Sequence, residues 1–319
     1  EEYYKRTMIH NKNIGIALIC LLAILVVVQI SFGTSISSDF TDATRVHQRS
    51  TYQHNATTGI INHKEAAIVI STNWIPSAPS IQMLQEVINS FQMIKGLPSD
   101  APIYIIVDNL RAESHGEGKS GQERWDMEAT LDKYSFNIMK EYMHRKNFHV
   151  IVNTVNNHIG GNLNKAIELL EPETKYLYYF QHDFKFIKEV NHTAIINSMK
   201  EHPDVLKNVR FNRKLNGAQD RKDACFFNIG TELIGGANFT RTSLWSDNNH
   251  FASVEYYKMI LESIVMLTRA IEAPLLSRIR ADPTKCMTDI TQHQYGGDLE
   301  GPYIEHLDGR SGYKASKEK

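Results

Sequence analysis

Four short runs of β-branched and aliphatic residues, each followed or preceded by a stretch with helical periodicity, constrain the fold of this chain more than any other feature. The runs cover residues 66–71, 103–107, 149–154 and 176–180. Runs that are apolar throughout are typical of strands buried on both faces. Because strand and helix patterns alternate with short connections, the sequence predicts βαβ units and a mainly parallel sheet flanked by helices.

The helical patterns between these runs each present one apolar face. Their apolar positions are Ile81, Leu84, Ile88 and Phe91 in the first, Met127, Leu131, Tyr134, Ile138 and Tyr142 in the second, and Leu163, Ala166, Ile167 and Leu170 in the third. These spacings are those of amphipathic helices. A polar loop is expected over residues 111–124, and the third helix is expected to open at Gly160-Gly161.

The second half of the chain has a less regular pattern. A strand is predicted near residues 209–211, and another over 231–234 that leads into a turn at Gly235-Gly236. Residues 255–280 predict one long helix. A short strand or loop is expected over 301–310.

Polar residues follow directly after each of the four predicted strands. They lie at 71–73, 108–109, 153–157 and 181–183. In sheets of this class, ligands bind beyond the carboxyl ends of the strands. The sequence therefore predicts a binding site at that edge of the sheet.

An apolar run from Ile14 to Phe32 stands apart from the rest of the sequence. Its 19 residues carry no formal charge, and as a helix they would span about 28 Å, close to the thickness of a hydrocarbon core. Lys5, Arg6 and Lys12 precede it, whereas the first Lys or Arg after it is Arg45. Positive charge stays on the cytosolic side. The sequence thus predicts a single-pass type II anchor with the C-terminal bulk in the secretory lumen or outside the cell.

A cleaved signal peptide is the alternative interpretation of this run. A signal peptide has a shorter apolar region, about 7–15 residues, before a small-residue cleavage site. Residues 33–35, Gly-Thr-Ser, form a weak site of that kind. Three N-glycosylation triplets, beginning at Asn55, Asn191 and Asn238, all follow the run, as expected for a lumenal glycoprotein.

Composition limits the classes of function. The chain has 319 residues, of which 42% are hydrophobic, and a formal net charge of −1. A sizeable core is expected, and a nucleic-acid-binding protein with a basic face is not. Cys225 and Cys286 could form one disulfide, and they could equally be two buried free thiols. The expected segments are a cytosolic tail (1–13), the anchor (14–32), a polar stem (33–64), a catalytic domain (65–310) and a flexible tail (311–319).

This arrangement resembles that of Golgi-type glycosyltransferases with the GT-A fold, and of family 2-like members in particular. The resemblance rests on the anchor, the stem, the strand–helix units and the motif Gln181-His182-Asp183 after the fourth strand, and it covers residues 65–310. It implies a Rossmann-like nucleotide-diphospho-sugar transferase domain. The implied activity is transfer of a sugar from a nucleotide-sugar donor, expected to be a UDP-sugar, to a glycan or glycoconjugate acceptor at a Golgi or other secretory-pathway membrane.

The resemblance assigns donor binding to the first strand ends. Thr72 and Asn73 correspond to residues that contact the base and ribose, and Asp108 to an Asp that accepts the imide N–H of uracil. Lys165, on the helix expected to open at Gly160-Gly161, would reach the diphosphate. From the residues alone, Asp108 is equally a residue that starts a loop, and Lys165 an exposed lysine.

The resemblance also implies a metal site. Such enzymes carry Asp-x-Asp after the fourth strand, where an acid and the donor diphosphate share Mn²⁺ or Mg²⁺. Gln181 stands where the first acid is expected, so only Asp183 matches. A C-terminal His often completes the site, and His306, near Asp308 and Arg310, has that placement. The plainer interpretation makes Asp183 a turn residue and His306 a surface group.

An inverting enzyme needs a base for the acceptor hydroxyl. In the family an acid follows a glycine-containing turn near the sugar, and Gly235-Gly236 fits that turn at the donor site. The acids that follow are Asp247 and Glu255. The usual Glu-Asp pair is absent, and Glu255 is the first candidate base and Asp247 the second. Asp247 is equally part of an ordinary turn.

A non-catalytic binding module with the GT-A fold is the second hypothesis, because Gln181 replaces an acid and the Glu-Asp pair is missing. A membrane-anchored hydrolase is disfavoured, since the sequence has neither Gly-x-Ser-x-Gly nor His-Glu-x-x-His. The sequence leaves open the sugar, the acceptor, and whether the reaction inverts or retains configuration.

Overall fold

The computed structural model describes residues 64–75, 79–110, 121–217, 230–242, 245–263, 271–281 and 292–307. The chain divides into two compact units, and all of these residues belong to the second, Gly59–Lys319. No helix among them is long and apolar enough to cross a membrane. The predicted anchor, Asn55, Cys225, Cys286, Asp308 and Arg310 lie outside the described residues.

The described residues form thirteen strands and six α-helices, with a short 3₁₀ helix at Ser90–Met93. The strands are β1 (Ala66–Thr72), β2 (Ile94–Lys95), β3 (Ile103–Val107), β4 (Phe148–Val152), β5 (Tyr176–Gln181), β6 (Phe184–Phe186), β7 (Val190–Asn191), β8 (Asn208–Arg210), β9 (Thr231–Ile234), β10 (Ala237–Thr242), β11 (His250–Ser253), β12 (Gln292–Tyr295) and β13 (Ile304–His306). The helices are α1 (Gln82–Asn89), α2 (Gly121–Tyr142), α3 (His158–Leu169), α4 (His192–Glu201), α5 (Val254–Ser263) and α6 (Glu272–Ala281).

Nine of the strands form one mixed sheet in the order β4-β3-β1-β5-β11-β8-β12-β10-β9. The first four strands are parallel, as predicted. From β11 onward most pairings are antiparallel, so the whole sheet is mixed rather than mainly parallel. In the order β4-β3-β1-β5, the chain adds β3 and then β4 on one side of β1, and then adds β5 on the other side of β1. Such a reversal leaves a crevice at the carboxyl ends of the two strands, here β1 and β5.

Two apolar cores cover the two faces of the sheet. Because side chains alternate along a strand, Ala66, Ile68 and Ile70 of β1 pack into a core that includes residues of α1, α2 and α4. Ala67 and Val69 pack into the other core, with residues of α3, α5 and α6. This confirms helices on both faces, and it explains why the runs that form β1, β3 and β5 are mainly apolar. β4, at the edge of the sheet, is only partly buried.

The predicted long helix over residues 255–280 is wrong. The structure has two helices, α5 and α6, and Ile271 lies outside both. Pro274 falls in the first turn of α6, where its missing N–H costs no hydrogen bond; inside a continuous helix it would remove one. Pro274 was therefore the sequence signal for the break.

Smaller differences concern the ends of elements. α2 begins at Gly121, within the predicted polar loop, and α3 begins at His158, before Gly160-Gly161. β4 begins and ends slightly earlier than predicted, at Phe148 and Val152. The predicted turn at Gly235-Gly236 is present: both residues have positive φ and join β9 to β10 as a two-residue hairpin.

Candidate functional site

The carboxyl ends of β3, β1 and β5 lie side by side. Thr72 pairs with Val107, the last residue of β3, and Ser71 pairs with Gln181. The polar residues that follow these strands are therefore gathered at one edge of the sheet, as the sequence predicted. The edge divides into two clusters with different chemistry.

The first cluster surrounds Asp108, which follows β3. Its carboxylate accepts hydrogen bonds from the backbone N–H groups of Asn157 (2.8 Å) and His158 (2.9 Å) at the start of α3, and from that of Asn109 (3.0 Å). A carboxylate at this position is favoured by the unpaired N–H groups and the dipole of the helix. Asp108 thus anchors α3 to the end of β3, and its role in reading uracil stays a prediction.

Amide and hydroxyl groups complete the first cluster. Asn153 donates to the side-chain oxygen of Asn162 (2.7 Å), and Asn162 donates to the hydroxyl of Ser71 (2.8 Å). The hydroxyl of Thr72 bonds to that of Tyr134 on α2 (2.6 Å). Buried polar groups need such partners. We call Thr72, Asp108, Asn153 and Asn162 the β3 cluster, and conclude that it holds helices to the sheet.

Asn73, one residue beyond β1, is half-buried at the same edge. It directly follows Thr72, whose backbone carbonyl accepts from the N–H of Asp108 (2.7 Å). Of the three residues predicted to contact the base or ribose, Thr72 and Asp108 are buried and only Asn73 is partly exposed.

The second cluster begins with Asp183 and His306. Pairing of β13 with β6 places His306 beside Phe184, and its ring stacks on that of Phe184 at 4.4 Å. His306 Nε2 lies 3.0 Å from Asp183 Oδ2. The two predicted metal ligands, 123 residues apart in sequence, are therefore brought together.

The two carboxylate oxygens of Asp183 differ: Oδ2 contacts His306 at hydrogen-bond distance, and Oδ1 is buried and does not have a partner among the described residues. Burial alone would raise the pKa of Asp183, but the hydrogen bond to His306 and the charges of His182 and His306 hold that pKa below its usual value. A buried carboxylate oxygen without a partner is costly, which makes Asp183 a candidate for binding a cation or a donor group.

The loop before β11 lies alongside the end of β5. Because His250 pairs with Tyr179 in antiparallel register, residues 247–249 run past Gln181. The side-chain amide of Gln181 donates to the backbone carbonyl of Asp247 (2.8 Å), and Asn249 donates to the carbonyl of Phe184 (2.8 Å). Gln181, where an acid was expected, therefore holds this loop in place.

Asp247 faces a second acid, Glu272, at the start of α6. The backbone N–H of Asp247 donates to Glu272 Oε2 (3.3 Å), as does the hydroxyl of Ser246 (3.4 Å). Burial raises the pKa of Asp247 to about 8, with contributions from the hydrogen bond and charge of Glu272 and from the charge of Asp183. We call Asp183, Asp247, Glu272 and His306 the β5 cluster.

Glu272 was not predicted from the sequence. It lies 25 residues from Asp247, in a segment expected to be the middle of a long helix. A helix break predicted from Pro274 would have placed Glu272 at the start of a helix, where an acid can face a neighbouring loop.

The structure does not bring Glu255 to this edge. Ser253 pairs with Tyr176 at the amino end of β5, and the N–H of Val254 bonds to the carbonyl of Lys175. Glu255 is exposed just beyond, separated from Gln181 by the length of β5, about 16 Å. Asp247, the second candidate base, is the one at the site.

Lys165 and the glycine turn also lie away from the β5 cluster. Lys165 is exposed on α3, seven residues past its start, which corresponds to about 10 Å along the helix. Gly235 and Gly236 lie four strands from β5 in the sheet order, about 19 Å away. A Cβ on Gly235 would lie 2.6 Å from Ser198 Cα, so this turn packs closely against α4.

Asp183 and His306 are the residues that would hold a divalent cation at this site. The 3.0 Å separation of Asp183 Oδ2 and His306 Nε2 is that of a hydrogen bond, so a cation bound by both atoms would replace that bond. The partnerless Oδ1 of Asp183 would be a further oxygen for it. Among the described residues, no group of three or more His, Cys, Asp or Glu side chains is placed to hold a metal ion. Such an ion would therefore need further oxygen ligands from a bound molecule or water.

No family model and no curated protein matches the sequence. Several solved structures resemble it in part. Residues 1–349 of TarS from S. aureus align with a TM-score of 0.43 and 12% identity over 75% of this chain and 59% of that chain. The same protein in complex with UDP-GlcNAc aligns with a TM-score of 0.41 and 12% identity over 76% and 60%.

A cytidylyltransferase from Leptospira borgpetersenii is a further structure of this kind, with a TM-score of 0.37 and 9% identity over 76% of this chain and 80% of that chain. This chain spans about three fifths of the TarS chains that it resembles, 59% and 60%.

Proposed function

We propose that this chain is a metal-assisted glycosyltransferase that binds a nucleotide sugar, expected to be a UDP-sugar, at the carboxyl edge of its sheet. The observation that carries the proposal is the convergence of Asp183, His306 and Asp247 at the end of β5. They lie beside the crevice between β1 and β5, where α/β sheets of this type bind ligands. The expected acceptor is a glycan or glycoconjugate.

The β5 cluster suits the diphosphate end of the donor only together with a cation. The carboxylates of Asp183 and Glu272 would repel a free diphosphate, whereas Mn²⁺ or Mg²⁺ held by Asp183 and His306 would neutralise charge on the departing group. The buried Oδ1 of Asp183 supports this, because a cation would give that oxygen a partner.

Asp247 is the proposed base. A group that titrates near neutral pH is suited to proton transfer, and the pKa of Asp247 is raised to about 8 by burial and by Glu272. In the proposed step the carboxylate of Asp247 takes the proton of the acceptor hydroxyl. The acceptor oxygen bonds to the anomeric carbon, and the bond from that carbon to the diphosphate oxygen breaks.

The nucleoside end of the donor is proposed to lie near Asn73. Thr72 and Asp108 would contribute by holding α2 and α3 in position, because their side chains bond to Tyr134 and to the start of α3. Lys165, Gly235 and Gly236 are distant from this crevice, and we assign them no part in donor binding.

We also propose that Ile14–Phe32 anchors the chain in a Golgi or other secretory-pathway membrane, with the catalytic domain lumenal. The uncharged run and the basic residues before it support this orientation. The test is expression of the full chain in a cell with a secretory pathway. Protection of the C-terminal part from protease in sealed membranes is expected, and digestion without detergent would contradict it.

The activity is tested by release of nucleoside diphosphate from a panel of nucleotide sugars with candidate glycan acceptors. We expect UDP release that requires Mn²⁺ or Mg²⁺, that stops on chelation and that is lost in Asp183→Asn. Glu255→Gln, a change at an exposed acid on the opposite edge, is the matched control and should retain activity. Activity that survives both chelator and Asp183→Asn would contradict the metal-assisted mechanism.

A catalytically inactive binding module is the second candidate, and Gln181 is the observation that favours it. Gln181 is committed to the carbonyl of Asp247 and adds no negative charge to the site. Cation-dependent binding of UDP-sugars without turnover, across the same panel, would support this candidate over the enzyme.

A further inference from the structure

The hairpin of β9 and β10 has one face packed into the core and one face exposed. Ile234, Ala237 and Phe239 pack into the core that covers one side of the sheet. Because side chains alternate along a strand, Leu233 and Asn238 lie on the opposite face, and both are exposed. Leu233 is 73% exposed, so a large apolar side chain faces water on the last strand of the described sheet.

Leu233 and Asn238 are directly opposite each other in this hairpin. The carbonyl of Asn238 accepts a hydrogen bond from the N–H of Gly296, on the side of β10 away from β9 (2.9 Å). The backbone groups of Asn238 therefore point away from Leu233, and the two residues form a pair without hydrogen bonds between them. Side chains come closest in such pairs, with Cβ atoms about 4.5–5.5 Å apart. A group attached to the side chain of Asn238 would begin beside Leu233.

Asn238 also begins one of the N-glycosylation triplets, Asn238-Phe239-Thr240. The other triplet asparagine that the structure describes, Asn191, caps α4: its Oδ1 accepts a hydrogen bond from the N–H of Ala194 (3.0 Å). The side chain of Asn238 has no hydrogen-bond partner within the described ranges. Of these two asparagines, Asn238 is the one whose side chain the fold leaves available to carry a substituent.

The third residue of the triplet fixes when such a substituent could be added. Thr240 is fully buried, and its hydroxyl donates to the carbonyl of Gly296 (3.0 Å). Because this hydroxyl belongs to the recognised triplet, an enzyme can read the triplet only before β10 pairs with β12. Addition to Asn238 would therefore precede folding, and the exposed position of Asn238 allows the chain to fold with the group in place.

We propose that Asn238 carries an N-linked glycan and that the first sugar of this glycan covers Leu233. Attachment requires the lumenal location proposed above, on which this inference rests. In the attachment step, Asn238 Nδ2 bonds to the anomeric carbon of a lipid-linked oligosaccharide. The bond from that carbon to the diphosphate oxygen of the lipid breaks, and the proton lost from Nδ2 passes to a base of the cell's oligosaccharyltransferase.

The glycan resolves the exposure of Leu233 on an edge strand. Exposed apolar edge strands favour pairing with other chains, and proteins cover or interrupt such edges. The C–H groups of a sugar ring would remove apolar surface of Leu233 from water, and the rest of the glycan is bulky and solubilising. Leu233 would then be a contact of the modified chain rather than an uncovered apolar group.

Occupancy of Asn238 is tested on the full chain expressed in a cell with a secretory pathway. One part of the sealed membranes is used for protease protection, and the other is treated with peptide:N-glycosidase in water labelled with heavy oxygen. We expect a protected C-terminal part and, by mass spectrometry, a labelled Asp at position 238. Protection together with an unlabelled Asn238 would overturn the glycan alone. Digestion without detergent would contradict the lumenal location and, with it, the glycan.

Two variants check the assignment of the glycan by its effect on electrophoretic mobility. Asn238→Gln should lose the mobility shift of one glycan, because Gln does not accept the sugar. Thr240→Ser is the matched control, since it keeps both the triplet and a hydroxyl that can bond to Gly296. It should retain the shift, and equal mobility of wild type and Asn238→Gln would overturn the proposal.

Hydroxyl-radical labelling of the solubilised full chain measures the contact with Leu233. We expect Leu233 to be labelled about threefold more in Asn238→Gln than in glycosylated wild type, because the sugar no longer removes its surface from water. Wild type deglycosylated without denaturation should show the same increase, which makes the result independent of the substitution. Equal labelling of Leu233 with and without the glycan would overturn its covering role.

Leu169 is the internal control for this labelling. It is 43% exposed at the end of α3. α3 packs on β1 and β3, and β1 lies six strands from β9 in the sheet order, about 29 Å away. Its labelling should be the same in all three proteins, since a glycan on Asn238 does not cover it.

Discussion

The two clusters at the carboxyl edge of the sheet use similar residues in different ways. In the β3 cluster the side chains form hydrogen bonds with one another and with the backbone. Both carboxylate oxygens of Asp108 accept hydrogen bonds from backbone N–H groups at the start of α3. In the β5 cluster Asp247 faces Glu272, and one oxygen of Asp183 is buried without a partner among the described residues.

The two clusters differ as an acid that stabilises the fold differs from a candidate catalytic acid. The arrangement around Asp108 stabilises the folded state, because its negative charge lies at the start of a helix. The arrangement around Asp247 is costly for the ionised form of its carboxyl group, because burial and the neighbouring acid raise the pKa of Asp247. Groups whose pKa values are perturbed in this way concentrate at functional sites. Position at a strand end alone did not distinguish the two.

The largest effect is expected for Asp183→Asn. This change keeps the shape of the side chain and removes its negative charge, so transfer activity should fall by about 100-fold or more. Sugar transfer at saturating donor measures it, with the circular dichroism spectrum as a check of folding. Retention of activity within a few-fold would remove the β5 cluster from the catalytic role.

Asp108→Asn should instead act on stability. The neutral amide oxygen accepts more weakly from the N–H groups of Asn157 and His158, so the free energy of unfolding should fall by about 2 kcal/mol. Activity per folded molecule should stay within about threefold of wild type. Denaturant unfolding with a parallel activity assay measures both, and lost activity at unchanged stability would reverse the assignment of the two clusters.

A third effect concerns pH. Asp247 keeps its proton up to about pH 8 in the folded chain but ionises near its ordinary value of 3.8 when unfolded. The folded state thus binds more protons between these values, and its stability falls as pH rises from about 4 to about 8. Glu272→Gln removes the like charge, lowers the pKa of Asp247, and should reduce the loss of stability between pH 5 and pH 8 by about 1–2 kcal/mol.

Unfolding of wild type and Glu272→Gln, measured at both pH values in the same buffer system, provides the comparison. Equal pH dependence in the two proteins would show that Glu272 does not perturb Asp247. If Asp247 is the base, the transfer rate of the wild type should also rise with pH up to about 8, the pKa of Asp247, and then level off.

Gln181→Ala should have a smaller effect. It removes the hydrogen bond from the Gln181 amide to the carbonyl of Asp247, which contributes about 1 kcal/mol. We expect a loss of stability of that size together with a lower turnover, because the 247–249 loop loses its tie to β5. Gln181→Glu tests the family pattern: an acid here should destabilise the protein more than Ala does, and higher stability would contradict the role given to Gln181.

The smallest effect is expected for Glu255→Gln. The side chain is exposed at the opposite edge of the sheet, so activity and stability should both remain near wild type. A large loss of turnover in this variant would restore Glu255 as the base and move the site away from the β5 cluster.

The sequence was sufficient to predict the four parallel strands β1, β3, β4 and β5, because each contains a short, mainly apolar run bounded by polar residues. It also placed Asp183 correctly after a strand, because Asp183 follows the fourth of these runs. Asp247 was a candidate only through the family resemblance, and no strand was predicted beside it. The contact of His306 with Asp183 depends on pairing of β13 with β6, which is set by tertiary packing over a long sequence separation. It could be expected only from the family resemblance.

Other features could not be predicted for physical reasons. The role of Asp108 depends on where α3 begins, and helix ends are poorly defined by periodicity alone. Glu255 was favoured because it starts a helix, but the direction of β11 places that start at the wrong edge. The direction of a strand depends on its pairing within the whole sheet, so the residues around Glu255 alone do not predict it.

Calorimetric titration of UDP into wild type, Asp108→Asn and Asp183→Asn, with and without Mn²⁺, distinguishes a ligand site at the β5 cluster from one at the β3 cluster. We expect wild type and Asp108→Asn to bind UDP with similar affinity and only when Mn²⁺ is present. Asp183→Asn should bind at least tenfold more weakly under the same conditions. Binding that is retained by Asp183→Asn and lost by Asp108→Asn would contradict the account, because it would place the ligand at the β3 cluster instead of the β5 cluster.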